Sequence, residues 1–367
     1  MRIGFEAKRV FFNRSGLGNY SRNSIMALNR FFPENQYILF SPPTDGTLFP
    51  QEQMSIVSPH GFSAVFPSFW RYRGLGKTAQ NYHLDIFHGL SNELPHDVKR
   101  TKAKTVATIH DTIFMRFPQW YKRHDIWFYE QKTAFACKHA DAIIAVSQQT
   151  KDDLMYYFKV EEKKIQVIYQ PYNPVFERAA TEEEKQNVKA KLQLPNDFAL
   201  MVGNIEERKN HLNVIKAMHH YKIDVPLVIV GRNSDYALQL KKYITQNNIK
   251  NIHFQHNVNS EDLPSVYALS SIFVYLSFFE GFGIPIAESL QCGTPVITSN
   301  IPCFKETAGD AALFINPHSE EEIAQAIRKM MKDKDIRDAM AKTGWAHVTK
   351  FNAKTVSAEM MKLYNML

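Results

Sequence analysis

The sequence predicts an α/β protein of two doubly wound domains that face each other across a cleft. Short β-rich runs alternate with helical patterns along the whole chain, the signature of parallel sheets with helical crossovers. At 367 residues the chain exceeds what one core ordinarily supports. The stretch QPYNPVFERAATEEEK, two prolines and then a charge run, divides the β-rich runs into two sets and marks the boundary.

In chain order the first set is RIGFEA, QYILFSP, DIFHGL, TVATIHD, AIIAVS and IQVIYQ. The second is FALMVGN, PLVIVG, IHFQHNV, SIFVYLS, PVITSN and ALFINP. Near-continuous apolar runs of this length suit strands covered on both faces. They place a first domain at residues 1–172 and a second at 173–351. Ser319 followed by Glu322 reads as a capping box that opens the helix EEEIAQAIRKMMKD. The final segment, TVSAEMMKLYNML, has apolar residues at helical spacing, so a helix within 352–367 is expected to pack back on the first domain. Ligands of doubly wound sheets bind beyond the C-terminal ends of the strands, which directs attention to the cleft.

Hydrophobic residues at 44% and aromatic residues at 13% indicate a well-packed globular chain. The opening MRIGFEA reads as a strand rather than a signal peptide, and no apolar run approaches the roughly 18 residues that span a bilayer. Cys137, Cys292 and Cys303 are odd in number and lack metal-ligand spacing, which fits a reduced, cytoplasmic setting. The net charge of +7 suits phosphate-rich ligands or an anionic membrane face, and equally a solvated surface. In SFWRYRGLGKTAQNYHLD, Phe69, Trp70 and Tyr72 are interleaved with Arg71, Arg73 and Lys77. That pattern suits peripheral contact with an anionic membrane as well as plain solvation. No nucleic-acid partner is expected.

The most informative stretch is YLSFFEGFGIPIAESLQCGTPVITSN. An apolar strand ends near Ser277, the Gly281-Phe282-Gly283 turn follows, and Pro285 opens a helix that carries Glu288. A strand end, a glycine turn and a helix N-terminus together make an anion site, because unpaired N–H groups and the helix dipole converge there. Glu280 and Glu288 then lie on either side of a bound phosphate, each able to hold hydroxyls. A sugar nucleotide has that order: sugar, diphosphate, ribose. Spacing alone leaves a second reading open, in which both acids simply complement the helix dipole.

Arg208 and Lys209 follow the strand FALMVGN at a strand-to-helix junction on the same edge. A diphosphate held in a dry site needs fixed cations, and Arg supplies a planar fork where Lys supplies a point charge. The alternative is two basic residues opening a solvated helix, although cations there oppose the dipole. Gly16 and Gly18, in RSGLGNYSRN, stand just before a helix; they suit close approach of a ligand or merely a tight turn. His110 and Asp111 close the strand TVATIHD, where His110 could bond a sugar hydroxyl or serve the core. Asp333 and Asp335 read as a solvated turn between helices, so no metal site is expected.

FFEGFGIPIAESLQCGTPVITSN, with VGNIEERKNHLNVIKAM and PLVIVG upstream, resembles the family-4 retaining glycosyltransferases. SGLGNYSRN resembles that family's glycine loop, and DIFHGLSNELP and IHDTIFMRFPQWY resemble its mannosyltransferase-type branch. ADAIIAVSQQTKDDL is similar to its last first-domain helix region, so the likeness covers nearly the whole chain. The resemblance implies the GT-B type of fold, two facing Rossmann-like domains. It also implies that Arg208 and Lys209 bind the donor diphosphate. Glu280, with the backbone of Phe282, Gly283 and Ile284, would hold the transferred sugar and distal phosphate, and Glu288 the ribose. His110 would meet the transferred sugar, with Gly16 and Gly18 bordering the phosphates and the acceptor. The sequence departs from the family's pattern at His256, where glycine is frequent, and at Ala353, where an aromatic residue is common.

The expected function is metal-independent transfer of a hexosyl group with retention, mannose from GDP-mannose, to a glycan or lipid-linked oligosaccharide in surface polysaccharide synthesis. No cofactor beyond the nucleotide-sugar co-substrate is implied. The expected location is cytoplasmic, with peripheral contact at the inner membrane face. Two alternatives are a sugar-nucleotide epimerase of the same architecture and a non-catalytic protein that binds sugar nucleotides or a partner enzyme.

Overall fold

The computed structural model describes residues 1–44, 48–49 and 54–367. The chain divides into two compact units, Met1–Pro171 with Ala353–Leu367, and Tyr172–Asn352. The first holds strands β1 (Arg2–Glu6), β2 (Gln36–Phe40), β3 (Ser55–Val57), β4 (Ile86–Gly89), β5 (Lys104–Ile109), β6 (Ala142–Ala145) and β7 (Ile165–Val167). The second holds β8 (Ala199–Val202), β9 (Leu227–Val230), β10 (Ile252–Gln255), β11 (Ile272–Tyr275), β12 (Val296–Ser299) and β13 (Ala312–Ile315). Among the described residues every strand pairing is parallel.

The strand orders are β3-β2-β1-β4-β5-β6-β7 and β10-β9-β8-β11-β12-β13. Both are the doubly wound order of Rossmann-like folds, with one strand added at the edge of the first sheet. The expected α/β class is the one this chain adopts. Each order reverses direction once, between β1 and β4 in the first sheet and between β8 and β11 in the second. Crossovers leave to opposite faces at that point, so a crevice opens at the strands' C-terminal ends.

Burial follows the alternation of a strand covered on both faces. Along β2, Tyr37 and Leu39 join one apolar cluster and Ile38 and Phe40 join another. The C-terminal helix Ala353–Met366 packs on helix Gly16–Phe31 and contributes Val356, Met360 and Tyr364 to the first of these clusters. In the second unit, helices His211–His220 and Glu320–Lys332 bury Val214, Ile215, Ile323 and Ile327 with β8, β9 and β11.

Two local expectations need correction. Ser319 does accept from the Glu322 N–H, but the Glu322 carboxylate reaches Asn316 N at 2.9 Å instead of closing the box on Ser319. The reciprocal box lies instead at Thr181 and Glu184, where it opens helix Glu182–Leu192. Gly16 and Gly18 do not precede a helix but form the first turn of Gly16–Phe31. Gly18 is required there because a Cβ would lie 1.8 Å from the Asn13 carbonyl oxygen, whereas Gly16 faces open space.

Candidate active site

At the switch point of the second sheet, β8 runs through Gly203 into the short turn Glu207–Lys209. Asn210, left-handed at φ 63, then redirects the chain into helix His211–His220. Asn210 is fixed by a bond from its amide to the Pro317 carbonyl at 2.7 Å. The turn is stitched to the loop after β11, since Phe278 N donates to Arg208 O at 3.0 Å and Arg208 Nη1 donates to Phe279 O at 2.8 Å. These bonds, one backbone and one from the Arg208 guanidinium, bring Arg208 and Lys209 beside Glu280 across the gap between β8 and β11.

Glu280 is 12% exposed. Its Oε1 receives Arg208 Nη1 at 2.6 Å, the Tyr275 hydroxyl at 3.1 Å and Lys209 Nζ. Lys209 Nζ also reaches the Tyr275 hydroxyl at 2.5 Å and lies 4.7 Å from the centre of that ring. Burial by itself would raise the Glu280 carboxyl, but the charges of Arg208 and then Lys209 outweigh it and hold it at about 2. Burial likewise draws Lys209 below the ordinary lysine range, against the pull of Glu280. The result is a desolvated cluster with two cations on one carboxylate.

Gly283 has φ 100, and a Cβ there would meet the Phe304 ring at 2.8 Å, so only glycine makes this turn without displacement. Phe282 is anchored by the Thr307 hydroxyl on its carbonyl at 2.6 Å and by an edge-to-face contact with Phe351 at 5.1 Å. Helix Ile284–Gln291 begins with no side-chain cap and no acid in its first turn. An anion is therefore the natural partner for its N-terminal dipole. Among the described residues, Glu288, one turn into that helix, receives only the Tyr267 hydroxyl, at 3.3 Å. Burial raises Glu288 to about 7, the Tyr267 bond offsetting only part of it.

The switch-point edge of the first sheet carries His110 at the end of β5. His110 Nε2 bonds the Leu90 carbonyl at 2.8 Å, and Nδ1 meets the Gln170 amide nitrogen at 2.9 Å. A carbonyl can only accept, so the proton sits on Nε2 and Nδ1 accepts. Burial lowers the imidazole to about 4, so the ring is neutral near pH 7. Tyr20 packs edge-on against it at 4.6 Å and bonds Thr108, which His88 links to Tyr364 of the C-terminal helix. Asp111 is engaged locally, its carboxylate receiving Ile113 N at 3.2 Å.

Sequence reasoning missed Tyr275, Tyr267 and Gln170, the uncharged partners of Glu280, Glu288 and His110. A strand-end tyrosine carries no signal of what its hydroxyl will meet. Asp333 turns out to cap helix Lys334–Val348 through Ile336 N. His256 bonds the Gly231 carbonyl at 2.7 Å, and Ala353 is buried at the start of the C-terminal helix. Among the described residues, no cluster of His, Cys, Asp and Glu is arranged to hold a metal ion.

Residues 15–175 match the model of the Glycosyltransferase Family 4 group, and residues 182–346 match that of Glycosyl transferases group 1. The chain is a glycosyltransferase of the GT-B fold. The O-antigen chain mannosyltransferase B of Escherichia coli is 27% identical to it over the whole of both chains. The O-antigen chain mannosyltransferase RfbU of Salmonella typhimurium is 31% identical over 64% of this chain and 66% of its own. Among solved structures, Anabaena HepE in complex with UDP-glucose superposes with a TM-score of 0.80 at 17% identity, covering both chains fully. At that identity the likeness concerns the fold alone.

In the segment expected to suit an anionic membrane, the outward residues differ from those expected. Trp70 is 2% exposed, with its indole N–H on the Thr78 hydroxyl at 2.9 Å. Arg71 turns inward to Glu6 and Glu93. The outward residues are Phe66, Phe69, Tyr72, Arg73 and Lys77. Among the described residues, no helix is long and apolar enough to cross a membrane.

Proposed function

We propose that this glycosyltransferase moves a mannosyl group from GDP-mannose, with retention of the anomeric configuration, onto a growing glycan or lipid-linked oligosaccharide. The observation that carries the reading is the meeting of Arg208, Lys209 and Glu280 beside the uncapped start of helix Ile284–Gln291. The two relatives, both named as O-antigen chain mannosyltransferases, support the choice of sugar and a role in surface polysaccharide synthesis. The epimerase and binding-only alternatives find no support in either.

Arg208, Lys209 and the amides around Gly283 and Ile284 neutralise the charge that grows on the diphosphate as its bond to the sugar breaks. Fixed protein cations thus take the part that a divalent ion takes in other transferases. Glu280, ionised over the whole physiological range, accepts from hydroxyls of the transferred sugar. Glu288 accepts from the ribose hydroxyls once it has lost its proton. No ionised base is needed: the departing phosphate oxygen takes the acceptor's proton, and neutral His110 bonds a sugar hydroxyl through Nδ1 by exchanging its Gln170 partner while Nε2 stays on the Leu90 carbonyl. Phe66, Phe69, Arg73 and Lys77 provide the membrane-facing contact at the cytoplasmic side.

Thermal shift across GDP- and UDP-sugars tests the donor, since a ligand at 100 times its Kd adds about 2.7 kcal/mol. NMR of the product's anomeric proton tests the stereochemistry. A UDP-sugar preference refutes the donor assignment, and a β-linked product from an α-linked donor refutes retention.

A further inference from the structure

Tyr275 is the last residue of β11, and strand alternation sends its side chain to the same face as Phe273. The two rings stack at 5.7 Å, and the Phe304 ring lies 5.4 Å from Tyr275. Phe304 is also the ring that a Cβ at Gly283 would strike, so one aromatic group supports both the glycine turn and Tyr275. The Thr298 hydroxyl donates to the Tyr275 carbonyl at 2.8 Å and ties this strand end to β12. Tyr275 is 4% exposed. A phenylalanine would pack there equally well. Only the hydroxyl needs a reason, because a buried hydroxyl costs free energy unless it is paired.

Its partners are charged. The hydroxyl accepts from Lys209 Nζ at 2.5 Å and donates to Glu280 Oε1 at 3.1 Å, and Lys209 Nζ donates to that same Oε1. The three groups thus close a ring of hydrogen bonds. An ammonium carries three N–H groups at tetrahedral angles and accepts nothing. Glu280 and Tyr275 take two of them, and among the described residues the third has no partner. Held by one contact, the ammonium would turn about that bond on its flexible stem. Held by two, it has one direction left for the third N–H. Glu280 alone cannot fix that direction, since Arg208 Nη1 competes for the same Oε1 at 2.6 Å.

We propose that Tyr275 is a positioning residue of the transfer reaction, whose hydroxyl aims the third Lys209 N–H at the departing diphosphate. This role rests on the reading above in which Lys209 meets that diphosphate. Tyr275 acts through Lys209 and touches neither substrate. Charge grows on the diphosphate as its bond to the sugar breaks, so a misdirected N–H costs rate more than it costs donor affinity. The hydroxyl also keeps Glu280 from drawing the ammonium wholly to itself, because it takes one donor from Lys209 and gives its own to the carboxylate.

A double-mutant cycle between Tyr275→Phe and Lys209→Ala tests this on the full chain. Turnover is read as nucleoside diphosphate released from GDP-mannose or UDP-glucose, with water or methyl α-mannoside as acceptor. Tyr275→Phe removes one oxygen, keeps the ring and leaves Lys209 and Glu280 paired. It should lower kcat about tenfold and change the donor KM by less than about threefold, with GDP or UDP affinity by calorimetry near wild type. In the Lys209→Ala background the same change should alter kcat by less than about twofold, because the group through which it acts is gone. A packing role would give the same factor in both backgrounds. Full kcat in Tyr275→Phe, equal losses in the two backgrounds, or a loss of nucleotide affinity that matches the loss of turnover overturns the role of Tyr275. Unchanged turnover in Lys209→Ala overturns instead the reading of Lys209, and no turnover of either donor by the wild type overturns the donor reading; in both cases the role of Tyr275 falls with it.

Discussion

The two switch points present the same problem with opposite solutions. In the second sheet a buried carboxylate, Glu280, is gripped by Arg208, Lys209 and the Tyr275 hydroxyl and stays ionised to about pH 2. In the first sheet Glu6 is at least as buried, yet among the described residues one oxygen has no partner, and burial raises its carboxyl. Glu288 extends the contrast, because it lies one helix turn from Gly283 and among the described residues has only Tyr267, and burial raises it to about 7. Burial pushes all three upward. What separates them is the charge around each: Arg208 and Lys209 act on Glu280, Arg71 beside Glu6 is shared with the neighbouring acid Glu93, and no cation acts on Glu288.

The sharpest way to break this contrast is to remove a cation from the saturated switch point. Lys209→Ala should lower kcat by about 10²-fold or more, as for loss of a partner to transition-state charge, with the fold intact by circular dichroism. Wild-type activity should persist in chelator. Full activity in the variant, or complete loss in chelator, would remove the premise that protein cations hold the diphosphate.

Next in size are the two signature acids. Glu280→Gln should depress kcat by roughly tenfold or more, while Glu288→Gln should act mainly through the KM for donor. Their pH signatures should also run in opposite directions. Glu280 is depressed to about 2, so its contribution to stability is present above its unfolded value and is lost as pH falls from 4.5 through 2. Glu288 is raised to about 7, so its contribution is present at low pH and is lost as pH rises from 4.5 through 7. Melting curves of each Glu→Gln variant against wild type should show these two windows. Nucleotide affinity should also increase from pH 6 to pH 8 by up to about tenfold, since ribose hydroxyls need the Glu288 carboxylate, and Glu288→Gln should flatten that rise. Identical pH dependence in wild type and Glu288→Gln would refute the assignment.

His110→Ala sharpens the first-sheet side. Activity should fall by about tenfold through lost positioning, without loss of a pH limb near 6.5, because the ring titrates at about 4. Loss of such a limb would make His110 a base. The smallest effect expected is membrane recovery. Phe69→Ser combined with Lys77→Glu should reduce salt-sensitive sedimentation with anionic vesicles about twofold to tenfold, at about 1 kcal/mol per basic residue. Equal recovery of wild type with neutral and anionic vesicles leaves that face a plain surface.

Twelve of the strands were legible as apolar runs, because a strand covered on both sides needs little else. β3, Ser55–Val57, was not: three residues at a sheet edge carry no period to read. The glycine turn at Gly283 was legible for a local reason, a backbone conformation that side chains resist. The outward run around Trp70 was misread because periodicity over the seven-residue helix Pro67–Arg73 does not say which face the sheet will cover. There the fold buried the indole and drew Arg71 inward.

By itself the sequence determined the α/β class, the strand-turn-helix character of each junction and the kinds of charge available at the edges. These depend on neighbours within a few residues, where apolar period, proline and glycine act directly. Tertiary structure alone decided which charges meet. Arg208 and Lys209 reach Glu280 because β8 and β11 are adjacent in the sheet, although about seventy residues separate them. Glu6 keeps an unpaired oxygen because β4 lies beside β1 and brings Glu93, which holds Arg71. Charge and burial are composition until topology sets the distance, and the strength of an ionic contact in a dry site is set by that distance.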